Sequence, residues 1–136
     1  MGEQSDKASL RVLIMDDDDM VRGILKKIFQ FLKCEVDDVD CGEEAVEKYR
    51  GAITGDQGYD LAILDLRVNN GMGGVEAARE IIGMHRDAFL VVASGDSIDP
   101  VMENYQEYHF AATLTKPFTF DSVSELLNRV GGSGRE

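Results

Sequence analysis

Four aspartates, Asp16 to Asp19, stand in a row directly after the apolar run LRVLIM. A second run, DLAIL, is followed by Asp65. A third, AFLVVA, leads into Ser94 and Gly95, and a fourth, AATLT, leads into Lys116, Pro117 and Phe118. Clustered carboxylates repel one another and resist ionising together unless a cation joins them. A hard divalent ion such as Mg2+ relieves that repulsion, binding one or two carboxylates while keeping several waters. With such a metal present, a carboxylate can attack phosphorus and become an aspartyl phosphate. Phosphoryl transfer needs mainly positioning and charge neutralisation, which a lysine and a hydroxyl aimed at the equatorial oxygens supply.

Each residue also has a plainer reading. A charge run is usually a solvated turn, but Asp65 closing a second buried run changes the balance, because a buried carboxylate without a partner is expensive. Asp18 and Asp19 read as solvent-facing acids in a first helical turn, where they favour the helix dipole. Gly71, Gly73 and Gly74 lack the order of a phosphate-binding loop. His85 and His109 read as a helix-end and a loop histidine, with no part in phosphoryl chemistry.

The elements that must position these residues alternate along the chain. The four apolar runs predict buried strands at residues 10–15, 60–64, 88–93 and 111–115, with a weaker strand at 35–39. Between them lie helix-spaced segments: Met20, Val21, Ile24, Leu25, Ile28 and Leu32 form one apolar stripe. Residues 43–49, 75–84, 99–108 and 121–130 follow the same spacing. Asp99 and Asp121 are placed as N-caps and Gly131 as a C-cap. Alternating strands and helices imply βαβ units in a mostly parallel sheet covered on both faces. In such a sheet, function lies beyond the carboxyl ends of the strands, where the residues above fall.

The 136 residues suffice for one domain with a single sizeable core. With 14 basic against 26 acidic residues the formal charge is −12, which disfavours direct contact with nucleic acid or an anionic membrane. No apolar run approaches the roughly 20 residues that span a bilayer. The first residues carry no secretory h-region, and Cys34 and Cys41 read most simply as free thiols of a cytoplasmic protein, a bridge between them being the alternative. Residues 1–9 and 131–136 read as flexible tails around a domain at 10–130.

VLIMDDDD, LAILDL, VVASG and LTKPF stand in the order and at the spacing of the receiver domain of two-component response regulators, which the chain resembles over about residues 10–130. The resemblance implies a single (βα)5 flavodoxin-like, doubly wound domain with a five-stranded parallel sheet. It implies Asp65 as phosphoacceptor, Asp16 and Asp17 as the acidic pair, Ser94 as the family's hydroxyl and Lys116 as its lysine. Asp17 is expected to be the more direct Mg2+ ligand, with the Arg67 backbone carbonyl and Asp65 completing the protein's share. The Lys116–Pro117 bond is expected to be cis. The implied partner is a sensor histidine kinase or histidine phosphotransfer domain, whose phosphohistidine donates to Asp65. Such a domain catalyses its own phosphorylation and slow dephosphorylation and is not a turnover enzyme. Its readout is expected at the fourth helix, fifth strand and fifth helix.

DLRVNNGMGGVEA and DPVMENYQEYHF are similar to receivers of hybrid sensor kinases, whose loop after the acceptor is longer and glycine-rich. Thr113 stands where the family often has an aromatic residue, and Asn69 where proline is common. Arg67 and Asp96 are expected to pair across the phosphoryl group and slow its loss. A haloacid-dehalogenase-like phosphohydrolase would use Asp16 and Asp18 with Ser94 and Lys116, but it leaves Asp65 without a task and lacks the later acidic motif. A flavodoxin-like electron carrier would meet four aspartates where its phosphate loop belongs. The last alternative is a receiver fold kept only for protein binding.

Overall fold

The computed structural model describes residues 9–69 and 71–133. Five parallel strands, β1 (Arg11–Met15), β2 (Glu35–Val39), β3 (Leu61–Asp65), β4 (Leu90–Ser94) and β5 (Ala112–Thr115), form one sheet in the order β2-β1-β3-β4-β5. The helices are α1 (Asp19–Phe31), α2 (Gly42–Thr54), α3 (Gly74–Met84), α4 (Pro100–Glu103) and α5 (Phe120–Ser133), with a 3-10 turn at Tyr105–Tyr108 after α4.

Strand side chains alternate between faces, and both faces are covered. Val12, Ile14, Leu61, Ile63, Val91, Ala93, Ala112 and Leu114 pack with Leu25 and Phe29 of α1 and Val123 and Leu126 of α5. On the other face, Leu13, Met15, Ala62, Leu64, Leu90 and Val92 meet Val46 and Tyr49 of α2, Ile81 of α3 and Met102 of α4. This two-sided burial is why the central strands read as unbroken apolar runs.

The edge strand β2 (EVDDV) buries only Val39 and satisfies its acids by pairing. Asp38 receives Arg22 Nε at 2.8 Å and Lys26 Nζ at 3.0 Å from α1, while Asp37 accepts the Tyr59 hydroxyl at 2.6 Å. Cys34 and Cys41 flank opposite ends of this strand as free thiols, so its length keeps them beyond disulfide reach.

Two helices depart from the sequence reading. The segment expected as one helix over 99–108 breaks after Glu103. The Asn104 backbone leaves the helical region, and its N–H and side-chain amide both donate to the Pro100 carbonyl at 2.9 Å, a local competition that asparagine is suited to. Asp99 does cap α4, accepting from the Val101 N–H. Asp121 lies inside the first turn of α5 rather than at its cap. Thr119 takes that place, since its N–H donates to Ser122 Oγ and its Oγ1 accepts from the Ser122 N–H, a reciprocal capping box. The helix also runs through Gly131 to Ser133: glycine weakens a helix interior but ends it only in a left-handed turn. Residues 1–8 and 134–136 of the expected tails lie outside the described residues.

Candidate functional site at the carboxyl edge of the sheet

The adjacent strands β1 and β3 carry the acids. Asp16 and Asp17 follow β1 and Asp65 ends β3, and one carboxylate oxygen from each lies within 4.8 Å of the others. Asp16 is 2% exposed and Asp65 5%. Lys116, just past β5, reaches across with its ammonium 2.8 Å from Asp16 Oδ2 and 3.2 Å from Asp65 Oδ1. The peptide between Lys116 and Pro117 is cis. Ser94 ends β4: Asp65 is in register with Ala93, the residue before it, and the Ser94 carbonyl accepts from the Lys116 N–H at 2.9 Å. Its hydroxyl accepts from the Asp96 N–H at 3.0 Å. The expected residues thus converge on one edge from four strands.

Backbone contacts hold the acids in place. Asp16 Oδ1 accepts from the Asp18 N–H at 2.9 Å, and the Asp16 carbonyl accepts from Arg22 Nη1 at 2.7 Å. Asp17 Oδ2 accepts from the Asn69 N–H at 2.7 Å, tying the β3–α3 loop to the β1–α1 loop. Asp18 is the N-cap of α1, with Oδ1 accepting from the Met20 and Val21 N–H groups, so its carboxylate serves the helix. Asp19 lies in the first turn and pairs with Arg22 at 2.7 Å. Gly74 lets α3 start against the acceptor strand: a Cβ there would sit 2.6 Å from the Asp65 carbonyl oxygen. Gly71 adopts φ 97, a left-handed conformation that side chains rarely take.

The electrostatics are those of a site built for a cation. Burial, then the charge of Asp16, pushes the Asp65 carboxyl from its usual 3.8 up to about 6, although Lys116 pulls the other way. Burial opposes the Lys116 charge, yet Asp16 and Asp65 together hold its ammonium above the usual value. Three carboxylates face one ammonium, leaving uncompensated negative charge. Hard, converging oxygen donors of this kind fit a small divalent cation.

Arg67 is placed differently from expectation. Its guanidinium pairs with Asp99, not Asp96. Asp96 is held within its own turn, where Oδ1 accepts from the Ile98 N–H at 3.2 Å and its carbonyl accepts from the Asp99 N–H. The sequence carries no signal for the contacts of Asn69 with Asp17 and of Asp99 with Arg67. Asp99 was legible as a helix cap, but pairing between two loops leaves no local spacing signal.

A doubly wound α/β domain with a cation-ready carboxylate site at its carboxyl edge is the class of protein these features define. The family model for the response regulator receiver domain matches residues 12–128, and the chain belongs to that family, the receiver domains of phosphorylation-based two-component signalling. It is 32% identical over 119 residues to Transcription factor SKN7 of Chaetomium thermophilum, covering 88% of this chain but 15% of that protein. The receiver domain of a Pseudomonas aeruginosa sensor histidine kinase, solved with magnesium in its active-site cleft, superposes with TM-score 0.79 at 23% identity, covering 92% of this chain and all of that one. Response regulator TrrA of Thermotoga maritima, solved with Mg(2+)-BeF, gives TM-score 0.74 at 28% identity, covering 89% of this chain and 98% of that one. Membership sets aside the phosphohydrolase and electron-carrier readings. The charge argument against nucleic acid concerns this domain's own surface, since one relative is a transcription factor. Among the described residues no helix is long and apolar enough to cross a membrane.

Proposed function

We propose that Asp65 is the phosphoacceptor and that Asp16, Asp17, Asp65 and the Arg67 backbone carbonyl hold Mg2+. The observation that carries this reading is the trio of converging carboxylates with Lys116 bridging two of them. The metal, when bound, neutralises the carboxylates and the incoming phosphoryl oxygens. An Asp65 carboxylate oxygen attacks the phosphorus of a phosphohistidine as the P–N bond breaks, and the imidazole leaves with that electron pair and takes a proton at the freed nitrogen. Lys116 moves part of its pairing from Asp65 to a phosphoryl oxygen, and the Ser94 hydroxyl donates to another after turning from the Asp96 N–H. Water later attacks phosphorus as the bond from phosphorus to the Asp65 oxygen breaks, so that inorganic phosphate leaves, a proton passes to solvent and the Asp65 carboxylate is restored. The domain catalyses its own phosphorylation and slow dephosphorylation rather than a turnover reaction.

The donor is a sensor histidine kinase or histidine phosphotransfer domain in the cytoplasm. The glycine-rich loop after Asp65 favours a relay of the hybrid-kinase type. The test is intact-protein mass after incubation with acetyl phosphate, with and without Mg2+, beside Asp65→Asn. A single phosphoryl adduct that needs Mg2+ and vanishes in the variant is expected. No adduct under any condition, including a phosphorylated histidine phosphotransfer domain as donor, reduces the chain to a receiver-shaped binding module.

A further inference from the structure

Arg67 and Asp99 join the two loops that border Asp65. Arg67 lies two residues past the acceptor on the β3–α3 loop, and Asp99 lies between Ser94 and α4. The pair is lopsided: the Arg67 side chain is 75% exposed, whereas that of Asp99 is 6% exposed. Asp99 therefore depends on its partners. One oxygen accepts from the Val101 N–H at 2.9 Å and the other meets Arg67, and these contacts hold its carboxyl below the usual range. The helix it caps has four residues and passes at once into the 3-10 turn Tyr105–Tyr108. So short a segment has little helical cooperativity of its own and relies on its cap and on the buried Met102.

On the other side, the acceptor site already holds more negative than positive charge, and its lysine is shared between Asp16 and Asp65. A phosphoryl group carries roughly two negative charges where the Asp65 carboxylate carried one, so the site gains about one more and moves it outward towards the loops. Arg67 follows Asp65 closely in the chain, its side chain is mostly in solvent, and a guanidinium fork suits phosphoryl oxygens as well as it suits a carboxylate. We propose that Arg67 is a two-position latch: Asp99 holds it in the unphosphorylated protein, and the phosphoryl group on Asp65 draws it away. Asp99 is then buried without its ion partner, and the segment 100–108 loosens. The inference rests on Asp65 being the phosphoacceptor. It gives that state a route to the α4 surface that needs no ring at position 113, where β5 carries Thr113. Asp99 acts here as a positioning residue, through Arg67.

The test is hydrogen exchange of amides 101–108 in the full chain, with and without Mg2+ and beryllium fluoride, for wild type, Asp99→Asn, Asp99→Glu, Arg67→Gln and the Asp99→Asn/Arg67→Gln double variant. Asparagine keeps a capping oxygen and loses the charge, while glutamate keeps the charge. Sheet amides serve as the control for an intact fold. In wild type, exchange at 101–108 is expected to rise about five- to ten-fold with the fluoride complex. Asp99→Asn and Arg67→Gln should show that rise without ligand, the double variant should add nothing further, and Asp99→Glu should stay near wild type. Wild-type exchange in the ligand-free single variants, or additive effects in the double variant, overturns the latch. A phosphoryl adduct by mass together with an unmoved 101–108 segment overturns the latch alone. No adduct and no response removes the acceptor reading, and the latch with it.

Discussion

Asp65→Asn should stabilise the metal-free protein at neutral pH, and the gain should vanish in acid. The Asp65 carboxyl titrates at about 6 in the folded protein against a usual 3.8, because it is buried beside Asp16 and Asp17. Between these two values the folded state binds more protons than the unfolded one, so stability falls as pH rises through the window. A displacement of about two pH units corresponds to ~3 kcal/mol at roughly 1.36 kcal/mol per unit. Asparagine has nothing to ionise, and Lys116 keeps Asp16 as its partner. The stability gap in favour of Asp65→Asn should thus open by ~2–3 kcal/mol between pH 4 and pH 6.5 and stay flat above that. Urea unfolding of both proteins in EDTA, at half-unit steps from pH 4 to 7.5, measures the gap directly. A gap that does not change with pH, or a wild type more stable than the variant at pH 7.5, refutes the account of strained carboxylates. Saturating Mg2+, held by the proposed trio, should close most of that gap, because it would add about 2.7 kcal/mol to wild type at a hundred times its dissociation constant.

The fold offers further tests. Gly74→Ala would press a Cβ to 2.6 Å from the Asp65 carbonyl oxygen, so it should cost roughly 2 kcal/mol in urea unfolding and slow phosphorylation by acetyl phosphate. Asp38→Ala removes the carboxylate that Arg22 Nε and Lys26 Nζ of α1 share, leaving Arg22 its contacts with Asp19 and the Asp16 carbonyl, and should cost about 1 kcal/mol at pH 7. The Asp38 carboxyl is only partly buried: burial alone would raise it, but the hydrogen bonds from Lys26 and Arg22 hold it lower, so this contribution fades as pH falls through the acid range, which paired melts at pH 7 and pH 3 would show. Thr119→Ala removes the acceptor for the Ser122 N–H at the start of α5 and should cost about 1 kcal/mol, measured by thermal unfolding.

The order of elements was legible because each strand buried on two faces needs an apolar run and each covering helix needs an apolar stripe, and these patterns are written locally. The ends of β1, β3, β4 and β5 could be read for chemistry for the same reason: a polar or charged residue at the close of a buried run is conspicuous. Where local polar groups competed, the reading slipped. Asn104 splits the helix expected over 99–108, and Thr119 with Ser122 takes the cap assigned to Asp121.

By itself the sequence determined a two-faced α/β sheet and placed the candidates Asp16, Asp17, Asp65, Ser94 and Lys116 at strand ends, since type and place along the chain single them out. Only the tertiary structure decided which groups meet. It set Lys116 between Asp16 and Asp65, tied Asp17 to the Asn69 N–H, and gave Arg67 to Asp99 while Asp96 turned back on its own loop. Those choices depend on strand order and on the path of loops that come together from distant parts of the chain. Packing of the two helical layers fixes that geometry, and no spacing along the sequence encodes it.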